Sequence, residues 1–171
     1  MANPDEKGYS DPGCGKFRML SLPPVKLRLV REEGIVKAFD KVRKKYVALT
    51  PEEYVRLHFV DWLVEYMNYP LSHIANEVSL KFNGMSRRAD TLVAGRKGQP
   101  LVVIEYKNPE VEITQGVFDQ IARYNSVINA KYLVVSNGIN HYCCVMDCNG
   151  CYHFIPRIPD YNEVTLSQSE N

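Results

Sequence analysis

The sequence predicts an α/β protein, a single domain with a mixed β-sheet and helices on its faces. Three observations lead there. The chain has 171 residues, 45% of them hydrophobic and 24% charged, which suits one soluble domain with a sizeable core. Its periodic segments run helix, three strands, helix, then further strands. The run PLVVIEYK at residues 100–107 is almost continuously apolar and β-branched, the pattern of a central strand covered on both faces.

Each element follows from local chemistry. Residues 1–16 are rich in Gly, Pro, Asp and Ser and read as a mobile tail; residues 164–171 read the same way, leaving 17–163 as the domain. Between Leu27 and Thr50 the pattern suggests a short hairpin around Glu33 and Gly34, then a short strand. Thr50, Pro51 and Glu53 mark a helix start: an N-cap, a proline at the first helical position and the acid of a capping box. Val55, Phe59, Trp62, Leu63 and Tyr66 then form one apolar face, with Arg56, Asp61 and Glu65 largely elsewhere, and the helix should stop before Pro70. A second short helix is expected in LSHIANEV.

Three strands follow, EVSLKF, RADTLVAG and PLVVIEYK, the last two joined by the turn GRKGQP. TQGVFDQIARYNSVIN reads as the next helix, with Val117, Ile121, Tyr124 and Ile128 on one side. KYLVVSNG is a strand. HYCCVMD and CYHFIPRI form a final hairpin turning at Asn149-Gly150, a favoured type I′ pair.

Composition excludes several classes. A net charge of +1 argues against a polycation that coats nucleic acid, while local clusters such as Lys41, Arg43, Lys44 and Lys45 read as solvated surface. No apolar run approaches the ~20 residues that cross a bilayer, and the N-terminus has no signal-like apolar region, so a cytoplasmic setting without membrane contact is expected. Five cysteines suggest no disulfide framework. Cys148 and Cys151 fit the hairpin turn better than zinc, because adjacent Cys143 and Cys144 point to opposite faces of a strand.

Chemistry concentrates around residues 90–107. Glu105 and Lys107 share a strand face. If GRKGQP turns symmetrically between Lys97 and Gly98, Asp90 stands opposite Glu105, with Cβ atoms about 5 Å apart. Two ionised carboxylates at that spacing repel, and a divalent cation between them removes the conflict. Oxygen-only donors suit Mg²⁺ or Mn²⁺, whose shell phosphate oxygens commonly complete. Lys107 can orient a water or steady a phosphate. Glu77 lies just upstream, at the mouth of the preceding strand. The plainer alternative is a salt bridge of Asp90 or Glu105 with Lys107 or a nearby arginine.

Asp90, then Glu105-Tyr106-Lys107 after a hairpin, then a helix carrying Gln120, resembles the PD-(D/E)xK nuclease superfamily. The closer likeness is to the N-terminal nuclease domain of type I restriction endonuclease R subunits. The segments VRKKYVALTPEEYVR, YPLSHIANEVSL, RRADTLV, VVIEYKNPEVEIT, QIARYN and YLVVSNG resemble that domain in the same order, from about Phe39 to Asn140. The resemblance implies a restriction-endonuclease-like fold, a central mixed sheet flanked by helices, and hydrolysis of DNA phosphodiester bonds with Mg²⁺ (or Mn²⁺). It implies that Asp90 and Glu105 are metal carboxylates, Lys107 the catalytic lysine, and Glu77 a helix-borne acid completing the metal set. Gln120 and Tyr124 match a Q-x-x-x-Y element near the site, and Arg87 and Arg88 would contact phosphates. Ala89 stands where the superfamily name has proline, and Leu57 where a polar residue is expected. R subunits carry a translocating motor, yet the chain has no G-x-x-x-x-G-K-[ST] loop. Partners implied are DNA and motor, methylase or specificity subunits. The alternative function is a nucleic-acid-binding or assembly module that keeps the fold without cutting.

Overall fold

The computed structural model describes residues 17–82 and 85–166. Its main sheet has six strands in the order β4-β5-β6-β7-β8-β9, and a separate antiparallel sheet has the order β1-β2-β3. β1 (Leu29–Glu32) and β2 (Ile35–Asp40) form the expected hairpin, with Glu33 and Gly34 both left-handed, as a two-residue type I′ turn requires. β3 (Lys45–Ala48) closes this sheet and leads into α1 (Pro51–Tyr66). Thr50 caps α1, its hydroxyl accepting from the Glu53 amide at 3.1 Å. The capping box is not completed, because the Glu53 carboxylate turns to Arg43 and Arg56.

The expected helix in LSHIANEV is instead a single 3₁₀ turn, Leu71–His73, running directly into β4 (Ile74–Phe82). β5 (Met85–Ala94) and β6 (Pro100–Tyr106) follow as an antiparallel pair. α2 (Gln115–Ile128) crosses over to β7 (Tyr132–Ser136), which lies parallel to β6 and makes the sheet mixed. β8 (His141–Met146) and β9 (Tyr152–Ile155) complete it. Their turn is not type I′: Gly150 is left-handed and Asn149 is not, and Asp147 accepts from the amides of Asn149 and Cys151. That is a longer loop ending in a left-handed glycine. α3 (Tyr161–Leu166) ends the described chain with Val164 fully buried, so the packed body continues past Glu163. The tail expected at residues 1–16, and residues 167–171 of the one expected at 164–171, lie outside the described residues.

Strand alternation sorts the core into two layers. Val102, Ile104, Tyr106 and Val134 pack with Val55, Phe59 and Leu63 of α1; Val103, Leu133 and Val135 pack with Phe118, Ile121 and Ile128 of α2. Cys143 and Cys144 fall on opposite faces, as alternation predicts. α1 is covered a second time: Tyr54 and Leu57 pack with Leu27, Ala38 and Leu49 beside the small sheet. Leu57, unexpected as an apolar residue, is thus core, and Arg56 is buried rather than solvent-facing.

Candidate functional site

The β5–β6 hairpin sets the geometry. Thr91 pairs with Ile104, Leu92 with Val103 and Val93 with Val102, the register that puts Asp90 opposite Glu105. The turn differs from the expected one. It closes through Gly95 N–H to Gln99 O at 2.7 Å, with Gly98 left-handed, and a bulge at Val93/Ala94 restores the register. The ladder stops after Thr91 and Ile104. There the Tyr106 amide donates to Asp90 Oδ2 at 2.9 Å, so a side chain takes the place of strand backbone. Lys107 Nζ lies 3.0 Å from Glu105 Oε1, on the shared face that alternation demands.

β4 adds a third acid in the same row. Asn76 pairs with Thr91 and Val78 with Ala89, so Glu77 stands opposite Asp90. Glu77 is left-handed, at φ 57°, where a non-glycine residue carries strain. The sequence expectation of a helix-borne Glu77 is therefore corrected: it is a distorted strand residue. The acid carried by a helix here is Glu53, on the first turn of α1. Adjacent strands β4, β5 and β6 thus align Glu77, Asp90 and Glu105.

Two arginines that the sequence does not assign to the site, Arg43 and Arg56, hold this row together with Arg88. Arg56 Nη1 lies 3.3 Å from Glu53 and 3.4 Å from Glu77, and its Nη2 3.3 Å from Asp90 Oδ1. Arg43, in the loop between β2 and β3, binds Asp40 and Glu53 closely and reaches Glu77 at 3.2 Å. Arg88 is exposed, 3.6 Å from Glu77. Burial alone would push Glu77 up, but Arg43, Arg88 and Arg56 outweigh it and hold its carboxyl below the usual range. Burial pushes Glu53 up despite Arg56 and Arg43. Burial, then the Asp90 charge, push Glu105 up, and Lys107 does not offset them. Among the described side chains, Asp40, Glu53, Glu77, Asp90 and Glu105 face Arg43, Arg56, Arg88 and Lys107, one negative charge in excess.

Arg43, Glu53, Arg56, Glu77, Arg88, Asp90 and Glu105 line a cleft of about 560 Å³; Asp40 and Lys107 stand outside its lining. Gln120 is half-buried on α2 and does not line it. The side chains of Arg87 and Tyr124 lie outside the described residues. Among the described residues, no three His, Cys, Asp or Glu side chains form a ready metal cage. The donor set that fits Mg²⁺ or Mn²⁺ is the pair Asp90 and Glu105. Both are hard oxygen donors in register, and among the described residues the one hydrogen bond to the Glu105 carboxylate comes from Lys107. Glu77, the third expected metal carboxylate, is engaged by three arginines, Arg43, Arg56 and Arg88.

A mixed sheet with a helix on each face, and acids where two of its central strands part, defines a restriction-endonuclease-like α/β protein. A family model described as type I restriction enzyme R protein N terminus (HSDR_N) matches residues 51–159, more than half of the chain. The chain belongs to that family. Among solved structures it is similar to a fragment of a putative HsdR subunit of a type I restriction enzyme from Vibrio vulnificus YJ016. Identity is 22% and the TM-score 0.52, over 71% of this chain and 26% of that one. It is also similar, at 17% identity and a TM-score of 0.42, to a chain of a DrdV–DNA complex, over 70% of this chain and 11% of that one. No curated protein matches it significantly. Among the described residues, no helix is long and apolar enough to cross a membrane.

Proposed function

We propose that this chain is a PD-(D/E)xK-type nuclease domain that hydrolyses DNA phosphodiester bonds with Mg²⁺ or Mn²⁺. The observation that carries the reading is the placement of Asp90 opposite Glu105 where the β5–β6 ladder ends, with the Lys107 ammonium 3.0 Å from Glu105. Asp90 and Glu105 would hold the ion. When bound, such an ion lowers the pKa of a coordinated water and offsets charge at the scissile phosphate. Lys107 donates to the attacking water or the pentacovalent phosphate, and its contact with Glu105 fixes where that charge sits. The Tyr106 amide pins Asp90 Oδ2 and so orients the carboxylate without a flexible partner. Arg88, exposed at the rim of the cleft, offers a contact to backbone phosphates, as Arg87 would. Motor, methylase or specificity subunits are the partners such a domain would serve.

Supercoiled plasmid incubated with the protein and Mn²⁺ or Mg²⁺ should become nicked or linear, and Lys107→Ala should lose that activity while keeping its melting temperature. A folded wild-type protein that cuts under neither metal overturns the reading. One observation favours the alternative, a binding or assembly module without cleavage: both Asp90 oxygens already have partners, the Tyr106 amide and Arg56. DNA binding that is indifferent to Mg²⁺ and survives Glu105→Gln would support that alternative.

A further inference from the structure

Arg56 is the unusual member of the site. Its side chain is 6% exposed, yet no acceptor holds it closely. Its three contacts to Glu53, Glu77 and Asp90 are all 3.3–3.4 Å, longer than the ~2.8 Å of a strong charge-assisted bond. Its Nε is buried without a hydrogen-bond partner. A buried donor left unpaired is costly, and a guanidinium normally satisfies its carboxylates in a fork. Arg43, a few residues away in space, does so, gripping Asp40 and Glu53. Arg56 is shared among three acids and committed to none.

We propose that Arg56 is a built-in counter-cation: it neutralises the acid row in the absence of metal and yields Asp90 Oδ1 when a divalent cation enters. This rests on the metal-site reading above. Asp90 Oδ2 is kept by the Tyr106 amide, so Oδ1 is the oxygen that can change partners, and Arg56 Nη2 is what it now touches. Glu53 and Glu77 remain to hold the guanidinium after the exchange. Arg56 is thus a positioning residue. It sets how tightly the ion binds and prevents Glu77 and Asp90, opposed on neighbouring strands, from repelling each other while no ion is present.

Calorimetric titration with Mn²⁺ tests this on the wild type, Arg56→Gln, Arg56→Lys and Asp90→Asn. Removing the competing positive charge should tighten Mn²⁺ binding roughly tenfold in Arg56→Gln, while Arg56→Lys stays near wild type. Arg56→Gln should also melt lower than wild type without metal and recover part of the loss with Mn²⁺. Unchanged or weaker binding in a folded Arg56→Gln, with binding lost in Asp90→Asn, overturns the role of Arg56 and leaves the metal site standing. No Mn²⁺ binding by either wild type or Arg56→Gln overturns the metal site and the proposal together. If Arg56→Gln does not fold, the wild-type Arg56 Nε–H resonance decides. Mg²⁺ should shift it more than the Arg43 Nε–H resonance, and equal or absent shifts overturn the proposal.

Discussion

Asp40 and Glu105 are both buried carboxylates, and the protein treats them oppositely. Asp40 receives the amides of Val42 and Arg43 at 2.7 and 3.1 Å, the Arg43 side chain, and Asn76 Nδ2 at 3.0 Å. Burial pushes its pKa up, but these donors outweigh burial and hold it below the usual carboxylate range. Glu105 receives Lys107 alone and stands beside Asp90, so its pKa is raised. A carboxylate that pins a loop is saturated with donors, because each unmet lone pair in the interior costs free energy. Glu105, the carboxylate proposed to take an outside cation, is left short of them. Arg43, Glu53 and Arg56 link the two regions, so the saturated corner anchors the undersaturated one.

The largest effect that can break this contrast is on activity. Glu105→Gln and Asp90→Asn should each lower DNA cleavage by on the order of 10²–10³-fold or more while shifting unfolding free energy by less than about 1 kcal/mol. Asp40→Asn should do the reverse in character. It takes from the buried Arg43 one of its two close carboxylates, leaving Glu53 and Glu77, and should cost about 3 kcal/mol in urea unfolding. If Glu105→Gln costs as much stability as Asp40→Asn, the two carboxylates are alike and the contrast fails.

The next effect is the sign of the pH dependence. Asp40 has a depressed folded pKa, so its stabilisation is present above its unfolded pKa of about 4 and is lost as pH falls through the folded value. Glu105 has a raised folded pKa, so it costs nothing below its unfolded value of about 4.5 and destabilises as pH rises through the folded value. Glu105→Gln should therefore raise the melting temperature at pH 7 relative to pH 4, in metal-free buffer. His141 gives a calibrating case: burial lowers its pKa to about 4, among Phe59, Trp62 and the hydroxyls of Ser21 and Ser136. Its neutral form stabilises fully above pH ~6.5, and that contribution, on the order of 2–3 kcal/mol, should drain away toward pH 4. His141→Gln should flatten that slope in a melting series from pH 7 to pH 4.

Much of the site was legible because a hairpin has few degrees of freedom. Period-two alternation put Glu105 and Lys107 on one face, and the turn placed Asp90 opposite Glu105. The turn itself is not the symmetric one: it is longer, with left-handed Gly98, and the bulge at Val93/Ala94 compensates. Arg43 and Arg56 were not legible. Arg56 read as solvent-facing because an amphipathic helix usually has one covered face, whereas α1 is covered by the small sheet as well. One cue was present: Glu53 and Arg56, three residues apart, sit on neighbouring positions of the helix. Glu77 was placed near the site but on the wrong element, because no sequence pattern announces a left-handed glutamate within a strand.

The smallest effect concerns the start of α1, where local and tertiary demands compete for one side chain. Thr50→Ala removes the hydroxyl that accepts the Glu53 amide and should cost about 1 kcal/mol. In a complete capping box, Glu53→Gln would be nearly silent, since glutamine also serves at that position. Here the Glu53 carboxylate bridges Arg43 and Arg56 instead. Glu53→Gln should therefore cost more than Thr50→Ala in urea unfolding, through the ionic bridge between the two regions rather than through the helix end. The double variant should be close to additive, because the amide of Glu53 serves the cap while its carboxylate serves the bridge. Strong coupling between the two would mean that Glu53 still completes the box, and that the saturated and undersaturated corners are not joined through it.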